Sequence, residues 1–286
     1  MIIEEVSRNV HTVKIIYDAQ KTKYRFLLTA DQHWDNPDCL RDMFEKHLKQ
    51  CKADGAMAFI FGDFFCAMQG KYDKRSDKSK LRPEHQTAKY LDSLVSTAAE
   101  WLMPYREQIG VIGLGNHETT ILKNHETHLI ERLVERLNVP VSDHKVYMGG
   151  YGGYIRFMFE HKAGGARKSL TLKYFHGHGG GGPVTKGVIQ SQRQAVFMPD
   201  ADIVVSGHVH EEYLISYTRE RIDHMGKITL QSQWHVRTPT YKDEYKDGFG
   251  GWHIETGKPP KPIGAWWLDV EVCGGKTIEF DFLKAK

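Results

Sequence analysis

The stretch Tyr24-Arg25-Phe26-Leu27-Leu28-Thr29-Ala30-Asp31-Gln32-His33 shows the pattern on which this chain is built. A run with β-strand character ends directly before a carboxylate and an imidazole. Four further segments stand where predicted strands end: Gly62-Asp63, Gly115-Asn116-His117-Glu118, His176-Gly177-His178 and Gly207-His208-Val209-His210. Imidazoles, carboxylates and a carboxamide are together the ligands that hold divalent metal ions. The segments therefore predict a two-metal hydrolase.

Length and composition are those of an ordinary globular protein. The chain has 286 residues, which a single α/β domain can absorb, and we expect one domain over residues 1–286. Hydrophobic residues make up 40% and charged residues 26%, and no stretch has the apolar length of a membrane span. The acidic start, Met1 to Glu5, lacks the features of a secretory signal, so a cytoplasmic location is expected.

Cysteine spacing argues against cysteine-based folds, and the net charge gives no support for a nucleic-acid-binding protein. The four cysteines show no CxxC spacing, so the pattern indicates neither a zinc ribbon nor a disulfide framework. The net charge of +3 is too small to indicate nucleic-acid binding on global electrostatics alone. Any such preference must come from local clusters of charge.

Strands and helices alternate in the first part of the chain. The periodicity predicts strands at Val10–Ile16, Tyr24–Thr29, Ala56–Phe61 and Ile109–Leu114, and helices at Pro37–Lys52, Glu84–Leu102 and His125–Leu137. The later part is mainly strands, with one helix at Val184–Val196: Tyr154–Glu160, Leu170–Phe175, Asp202–Ser206, Tyr213–Arg219, Lys227–Gln231, Ala265–Val272 and Thr277–Phe282. This order predicts an α/β (α+β) fold, a four-layer αββα sandwich of two mixed β-sheets flanked by helices.

Two long irregular stretches, about 64–83 and 238–264, interrupt the predicted elements. Loops of that length in a compact domain are usually functional or mobile. In α/β sheets the crevice beyond the carboxyl ends of the strands binds ligands, which is where the five polar segments stand. Asp31 and His33 are two residues apart, as are His208 and His210, so in an extended stretch each pair can point to one side.

The order DxH, GD, GNHE, HGH and GHxH resembles the calcineurin-like metallophosphoesterase superfamily, over residues 31 to 210. The resemblance implies two divalent metal ions. It assigns one metal to Asp31, His33, Asp63 and His210, and the second to Asp63, Asn116, His176 and His208. Mixed nitrogen and oxygen ligands favour Mn²⁺ and also suit Fe, Zn²⁺ or Ni²⁺.

The resemblance also implies a mechanism, in which Asp63 and His117 are the catalytic residues. A carboxylate that bridges two cations, as Asp63 would, lowers their mutual repulsion. A hydroxide that bridges the metals would attack phosphorus. His117 would stand beside the metals and donate a proton to the leaving oxygen.

Two departures from the family pattern matter. In protein serine/threonine phosphatases the GD motif continues with an added Asp and an Arg, whereas here it reads Gly62-Asp63-Phe64-Phe65-Cys66. This GDxF form resembles nuclease-like and phosphodiesterase members. In the fourth segment either His176 or His178 fits as the ligand, and His176 is preferred because it directly follows the predicted strand.

Substrate contacts are predicted from the two long loops. The segment from Lys71 to Arg82 holds six basic and two acidic residues, among them Lys74 and Arg75, and is either a solvated loop or a phosphate-backbone clamp. His235 and Arg237 stand among aromatic residues that either stack bases or form a flap that packs on itself. His178 completes the predicted substrate-binding set.

We therefore expect a phosphoesterase that hydrolyses phosphodiesters, such as a nuclease or a nucleotide phosphodiesterase. Its partner would be a phosphate-ester substrate, either nucleic acid or nucleotide, and no membrane. One alternative is a phosphomonoesterase that acts on a small molecule. Another is a non-catalytic scaffold with the same fold, against which the intact ligand set argues.

Overall fold

The computed structural model describes residues 1–18, 23–68, 81–165, 167–180, 182, 184–222, 224–250, 252–273 and 277–286. The strands of this part are β1 (Ile2–Ser7), β2 (Val10–Tyr17), β3 (Lys23–Thr29), β4 (Met57–Ile60), β5 (Ile109–Ile112), β6 (Tyr147–Met148), β7 (Gly152–His161), β8 (Lys168–Phe175), β9 (Ile203–Ser206), β10 (Tyr213–Ile222), β11 (Ile228–Arg237), β12 (Ala265–Cys273) and β13 (Thr277–Ala285). The helices are α1 (Arg41–Asp54), α2 (Tyr90–Leu102), α3 (Asn116–His125), α4 (Leu129–Leu137), α5 (Val188–Phe197) and α6 (Trp252–Glu255).

The strands form two mixed sheets. The six-stranded sheet has the order β13-β12-β3-β4-β5-β6, in which β3 to β6 run parallel and β12 is antiparallel to both of its neighbours. The seven-stranded sheet has the order β1-β2-β7-β8-β9-β11-β10 and alternates parallel with antiparallel pairs over most of its width. Strands β3, β4 and β5 point the same way, so the polar segments that follow them meet at one edge.

The two sheets pack face to face through apolar side chains that alternate along each strand. On β3, Phe26 and Leu28 face the space between the sheets, whereas Leu27 faces the helices. Across this space the rings of Phe26 and Phe157 lie 4.4 Å apart between centroids. Period-two alternation in β3 therefore builds two separate cores from one strand.

The two outer faces are covered unequally. Helices α1, α2 and α4 bury an apolar stripe each against the six-stranded sheet. On the seven-stranded sheet, the small cluster of Met198, Ala201 and Val204 lies at the end of α5, whose own buried residues, Ser191 and Gln194, are polar. The predicted arrangement of two mixed sheets with flanking helices is confirmed, with one thick and one thin outer layer.

Several predicted helix boundaries are wrong for identifiable reasons. Helix α1 begins at Arg41 rather than Pro37, because Asn36 first closes a turn in which its side-chain oxygen accepts from the Asp38 backbone N–H at 2.9 Å. Pro83–His85 forms a separate 3₁₀ turn, and α2 begins only at Tyr90. The helix predicted at His125–Leu137 begins only at Leu129, because α3, which was not predicted, ends at His125.

The later boundaries also shift. Strand β11 extends to Arg237, so this residue and His235 belong to a strand and not to the long loop. That loop contains α6, and Thr240 pairs with Ile263 across it. The first long stretch is described only outside residues 69–80.

Two global expectations can be compared with the structure. All four cysteines are free thiols, in agreement with the absence of a disulfide pattern. No helix in the described part of the chain combines the length and the apolar character that a membrane crossing requires.

Candidate metal centre

The loops that follow the parallel strands are hydrogen-bonded to one another. The backbone N–H of Asp31 donates to the carbonyl of Gly62, and that of His33 to the carbonyl of Asp63, each at 3.0 Å. The backbone N–H of His117 donates to Asp63 Oδ1 at 3.0 Å. The ends of β3, β4 and β5 are therefore joined before any ligand is considered.

A first cluster consists of Asp31, His33 and His210, whose nearest ligand atoms all lie within 4.8 Å of one another. The Nε2 atoms of His33 and His210 are 3.1 Å apart, and His210 Nε2 lies 3.5 Å from Asp31 Oδ1. Among the described residues this carboxylate oxygen has no hydrogen-bonding partner although it is buried. Two facing imidazole nitrogens and an unsatisfied carboxylate oxygen form a donor set that a cation would complete.

A second cluster consists of Asp63, His176 and His208, again with ligand atoms within 4.8 Å of one another. His176 Nε2 lies 3.1 Å from Asp63 Oδ2. The side-chain oxygen of Asn116 lies 3.3 Å from His176 Nε2 and 2.7 Å from His208 Nδ1. The structure thus brings together all seven side chains predicted as metal ligands, in two adjacent groups.

Backbone carbonyls orient two of the imidazoles. His176 Nδ1 lies 2.9 Å from the carbonyl of Phe61, and His117 Nδ1 lies 2.5 Å from the carbonyl of Cys66. A carbonyl oxygen only accepts, so Nδ1 carries the proton in both rings and Nε2 faces the site. This is the usual arrangement of a metal-ligating histidine.

The electrostatics of this cluster favour a cation. Burial opposes charge on His176, yet the carboxylates of Asp63 and Asp31 raise its pKa to about 9. Burial also opposes charge on Asp63, but His176 and His117 hold its pKa well below its ordinary value. A proton on His176 therefore supplies positive charge that buried carboxylates require, and a divalent ion fits the same donor set.

The ligands are held in an uncommon backbone conformation. Asp31, His33, Asp63, His208 and His210 all have positive φ, between 47° and 74°. The expected extended DxH and HxH stretches are therefore wrong, because both members of each pair lie in the left-handed region. Such residues cost conformational energy and cluster at functional sites.

Glu118 holds together the backbone segments around the centre, a role that the sequence did not reveal. Its buried carboxylate accepts hydrogen bonds from the backbone N–H groups of Gly115, Asp63 and Phe65 at 2.9, 3.1 and 2.8 Å. Burial, followed by repulsion from Asp63, raises its pKa to about 8. Its place directly after His117 was the available signal.

Asp35 holds the turn after Asp63 in a similar way. Its carboxylate accepts from the backbone N–H groups of Cys66 and Ala67 at 2.5 and 2.9 Å, and from the hydroxyl of Tyr90 at 3.2 Å. The sulfur of Cys66 is thereby placed within 4.8 Å of ring nitrogens of His33 and His117. Asp35 follows His33 by two residues, as His33 follows Asp31, and this spacing was the sequence signal for Asp35.

The predicted substrate-binding residues are dispersed. His178 is exposed and stands in neither ligand cluster, whereas His176 is buried in one of them. His235 is buried within β11, where its Nε2 lies 3.0 Å from the side-chain oxygen of Gln233. Arg237 is fully buried and donates to the carbonyl of Gly207, which leads into His208. Lys74 and Arg75 lie outside the described residues.

Two mixed sheets with clustered carboxylates and imidazoles at their strand ends define an α/β protein with candidate sites for divalent metal. The sequence model of the calcineurin-like phosphoesterase family matches residues 24–212, more than half of the chain. The chain belongs to the calcineurin-like phosphoesterase family. A comparison with curated proteins gave no match.

Solved structures with similar folds share little sequence. A predicted phosphoesterase from Streptococcus pneumoniae TIGR4 is 11% identical, with 93% of this chain and 91% of that chain covered and a TM-score of 0.37. Vps29 from Entamoeba histolytica, solved with zinc, is 9% identical, with 92% and 99% covered and a TM-score of 0.35. GAP50, the anchor in the inner membrane complex of Plasmodium, is 11% identical, with 93% and 86% covered and a TM-score of 0.45. We draw no functional argument from these likenesses.

Proposed function

We propose that this protein is a two-metal phosphoesterase that hydrolyses phosphodiesters. The observation that carries the proposal is the convergence of two carboxylates, one carboxamide and four imidazoles on two adjacent clusters, one with an orphaned carboxylate oxygen. Asp31, His33, Asp63 and His210 would hold one ion, and Asp63, Asn116, His176 and His208 the other. When bound, such ions neutralise charge on phosphoryl oxygens and activate water.

His117 would move the proton of the reaction, and two contacts of its ring support this role. Its Nδ1 donates to the carbonyl of Cys66 at 2.5 Å, and its Nε2 lies 3.8 Å from Asp63 Oδ2. The ring is therefore fixed at one end and presents Nε2 to the centre. A protonated Nε2 can donate to the leaving oxygen of a phosphate ester, as a general acid does.

The turn after Asp63 supports a diester rather than a monoester. Phe64 and Phe65 are fully buried, and burial raises the pKa of the Cys66 thiol to about 12, so this turn adds no charge to the centre. A phosphodiester carries one negative charge and two organic groups. A neutral turn suits it better than it suits the doubly charged monoester, and a nucleic acid or nucleotide in the cytoplasm would be a substrate of this class.

The test compares three substrates with the purified protein. After treatment with chelator, the protein is loaded with Mn²⁺ and incubated with bis-p-nitrophenyl phosphate, p-nitrophenyl phosphate and single-stranded DNA. Metal-dependent turnover, fastest on the diesters, is expected. Faster turnover of the monoester would favour the phosphomonoesterase alternative, and full metal loading without any turnover would favour the scaffold.

A further inference from the structure

The segment that carries His208 and His210 crosses the end of a neighbouring strand. It runs from Ser206, the last residue of β9, to Tyr213, the first residue of β10. In the seven-stranded sheet β11 lies between these two strands, parallel to β9 and antiparallel to β10. The segment therefore passes over the carboxyl end of β11, where Arg237 is the last residue.

The side chain of Arg237 contacts both ends of this crossing segment. Its Nη1 donates to the carbonyl of Gly207, directly before His208. Its Nε and Nη2 donate to the hydroxyl oxygen of Tyr213 at 3.3 and 3.1 Å. The guanidinium is fully buried, and within the part of the chain that the structure describes it has no carboxylate partner. Three of its five N–H donors thus hold the crossing segment and not a counter-ion.

The same guanidinium lies beside the loop that carries His176. The backbone N–H of Gly207 donates to the carbonyl of His176 at 2.8 Å, so the two ligand loops are joined. A Cβ on Gly177 would lie 2.8 Å from the Cβ of His208 and 3.3 Å from Arg237 Nη1. Glycine permits this close approach, and Arg237 packs where the two loops meet.

We propose that Arg237 is a positioning residue that fixes His208 and His210 at the metal centre by holding both ends of their segment. The inference rests on the proposed two-metal function, because it concerns the affinity of that centre for its ions. His208 belongs to one ligand cluster and His210 to the other, so this segment places one imidazole in each.

The backbone of the segment and the burial of the guanidinium both support this role. His208 and His210 have φ of 74° and 53°, a conformation that costs energy and that hydrogen bonds at the two ends of the segment would maintain. Burying a cation without a carboxylate is also costly to a fold. At Arg237 that cost is met by hydrogen bonds to the ligand segment.

The test is a calorimetric titration of the chelator-treated protein with Mn²⁺. Arg237→Met keeps every metal ligand, so it should still take up two ions, each bound about 10–100-fold more weakly than in wild type. Arg219→Met is the matched control. Arg219 lies on the same face of the sheet and also donates to a backbone carbonyl, that of Pro199, at 2.6 Å, so its loss should leave both Mn²⁺ affinities unchanged.

Two further variants test whether both ends of the segment must be held. Arg237→Lys offers one ammonium in place of the planar guanidinium, so its Mn²⁺ affinities should lie between those of Arg237→Met and wild type. Tyr213→Phe removes the anchor at one end and should weaken both ions by less than Arg237→Met does. Should Arg237→Met not fold, Tyr213→Phe replaces it. Its control is then Ser191→Ala, because the Ser191 hydroxyl contacts the same oxygen at 2.8 Å.

An arginine that only stabilised the fold would give a different result. Its removal would lower the melting temperature and leave the Mn²⁺ affinities of the folded protein as in wild type. That result would overturn the inference. Equal losses of affinity in Arg219→Met and Arg237→Met, or wild-type affinities in Arg237→Lys, would overturn it as well.

The outcome can be told apart from a failure of the proposed function. Weaker Mn²⁺ binding in Arg237→Met, with no ester turnover by metal-loaded wild type, would support the inference and refute catalysis. Diester turnover by wild type, with Mn²⁺ affinities that are indifferent to Arg237, would support catalysis and refute the inference.

Discussion

The two sheets contribute different chemistry to the metal centre. The segments after β3, β4 and β5 of the six-stranded sheet supply both carboxylates, Asp31 and Asp63, the carboxamide of Asn116 and one imidazole, that of His33. The loops after β8 and β9 of the seven-stranded sheet supply three imidazoles, from His176, His208 and His210. Each sheet alone carries an incomplete ligand set, so the site exists only because the sheets pack face to face.

Close contacts across the sandwich hold the two halves together. The backbone N–H of His208 donates to Asp31 Oδ2 at 2.8 Å. A Cβ on Gly207 would collide with the same oxygen across the sandwich, and within the six-stranded half a Cβ on Gly115 would collide with Asp63 Oδ1. Glycine is required at both places by close approach, and the positions of the ligands therefore report on the packing of the sheets.

The largest effect should follow from removing the charge of Asp63 on the six-stranded side. Asp63→Asn keeps the shape but removes the carboxylate that contacts His176 at 3.1 Å and approaches His117 at 3.8 Å. If Asp63 bridges both ions, metal analysis should show losses at both positions, and diester turnover should disappear. Full metal occupancy with normal turnover would refute the assignment.

A smaller loss of metal and activity is expected when an imidazole from the seven-stranded sheet is removed, because each of these imidazoles belongs to one cluster. His176→Ala should remove about one equivalent of metal and leave the other, with a loss of activity beyond the roughly 10–100-fold typical of groups that only support a ligand. His178→Ala is the matched control, because this residue is two positions away and exposed. Equal losses in the two variants would show that the choice of His176 is wrong.

His117 should affect the rate and not the metals. His117→Ala is expected to lower turnover of poor leaving groups by about 10²–10⁴-fold, the usual contribution of a general acid, with unchanged metal content. Activated aryl esters should suffer less, because their leaving groups need no proton. An equal loss on both kinds of substrate would argue against proton donation.

The convergence of the candidate ligand residues was predictable because each of them directly follows a strand that can be recognised in the sequence. An apolar strand that ends in a polar pair, as at Asp31 and His33, can be recognised without knowing the fold, and the shared strand direction then implies convergence. The sandwich was predictable from the order of strands and helices for the same reason. Element boundaries were not, because contacts that the periodicity does not show, such as the turn at Asn36 and the bridge between Cys39 and Lys242, lie directly before α1.

The supporting residues could not be read from the sequence. Glu118 accepts from three backbone groups, two of them more than fifty residues away, and its position directly after His117 does not reveal these contacts. His235 and Arg237 looked like loop residues because the polar run Gln231-Ser232-Gln233 interrupts the apolar pattern of β11 before them.

The smallest expected effect is on the free energy of unfolding at acidic pH. It tests whether the layers built on the two sheets respond alike to acid. Burial lowers the pKa of His47, on helix α1 against the six-stranded sheet, to about 4 from 6.5. Burial, with the charges of Arg219 and Arg237, does the same for His235 in the seven-stranded sheet. The unfolded chain takes up these protons first, so the stability that each contributes is complete above pH 6.5 and is lost as the pH falls to about 4.

His47→Gln and His235→Gln should each make the free energy of unfolding less dependent on pH within that window, and urea unfolding of the chelator-treated protein measures it. The comparison with wild type at each pH removes the contribution of the ligand carboxylates, which both variants retain. Because the two histidines shift by similar amounts, the two curves should flatten to a similar extent. If the unfolding free energy of a variant depended on pH as that of wild type does, the substituted histidine would be solvated in the folded protein. The part of the protein around that histidine would then be more accessible to water.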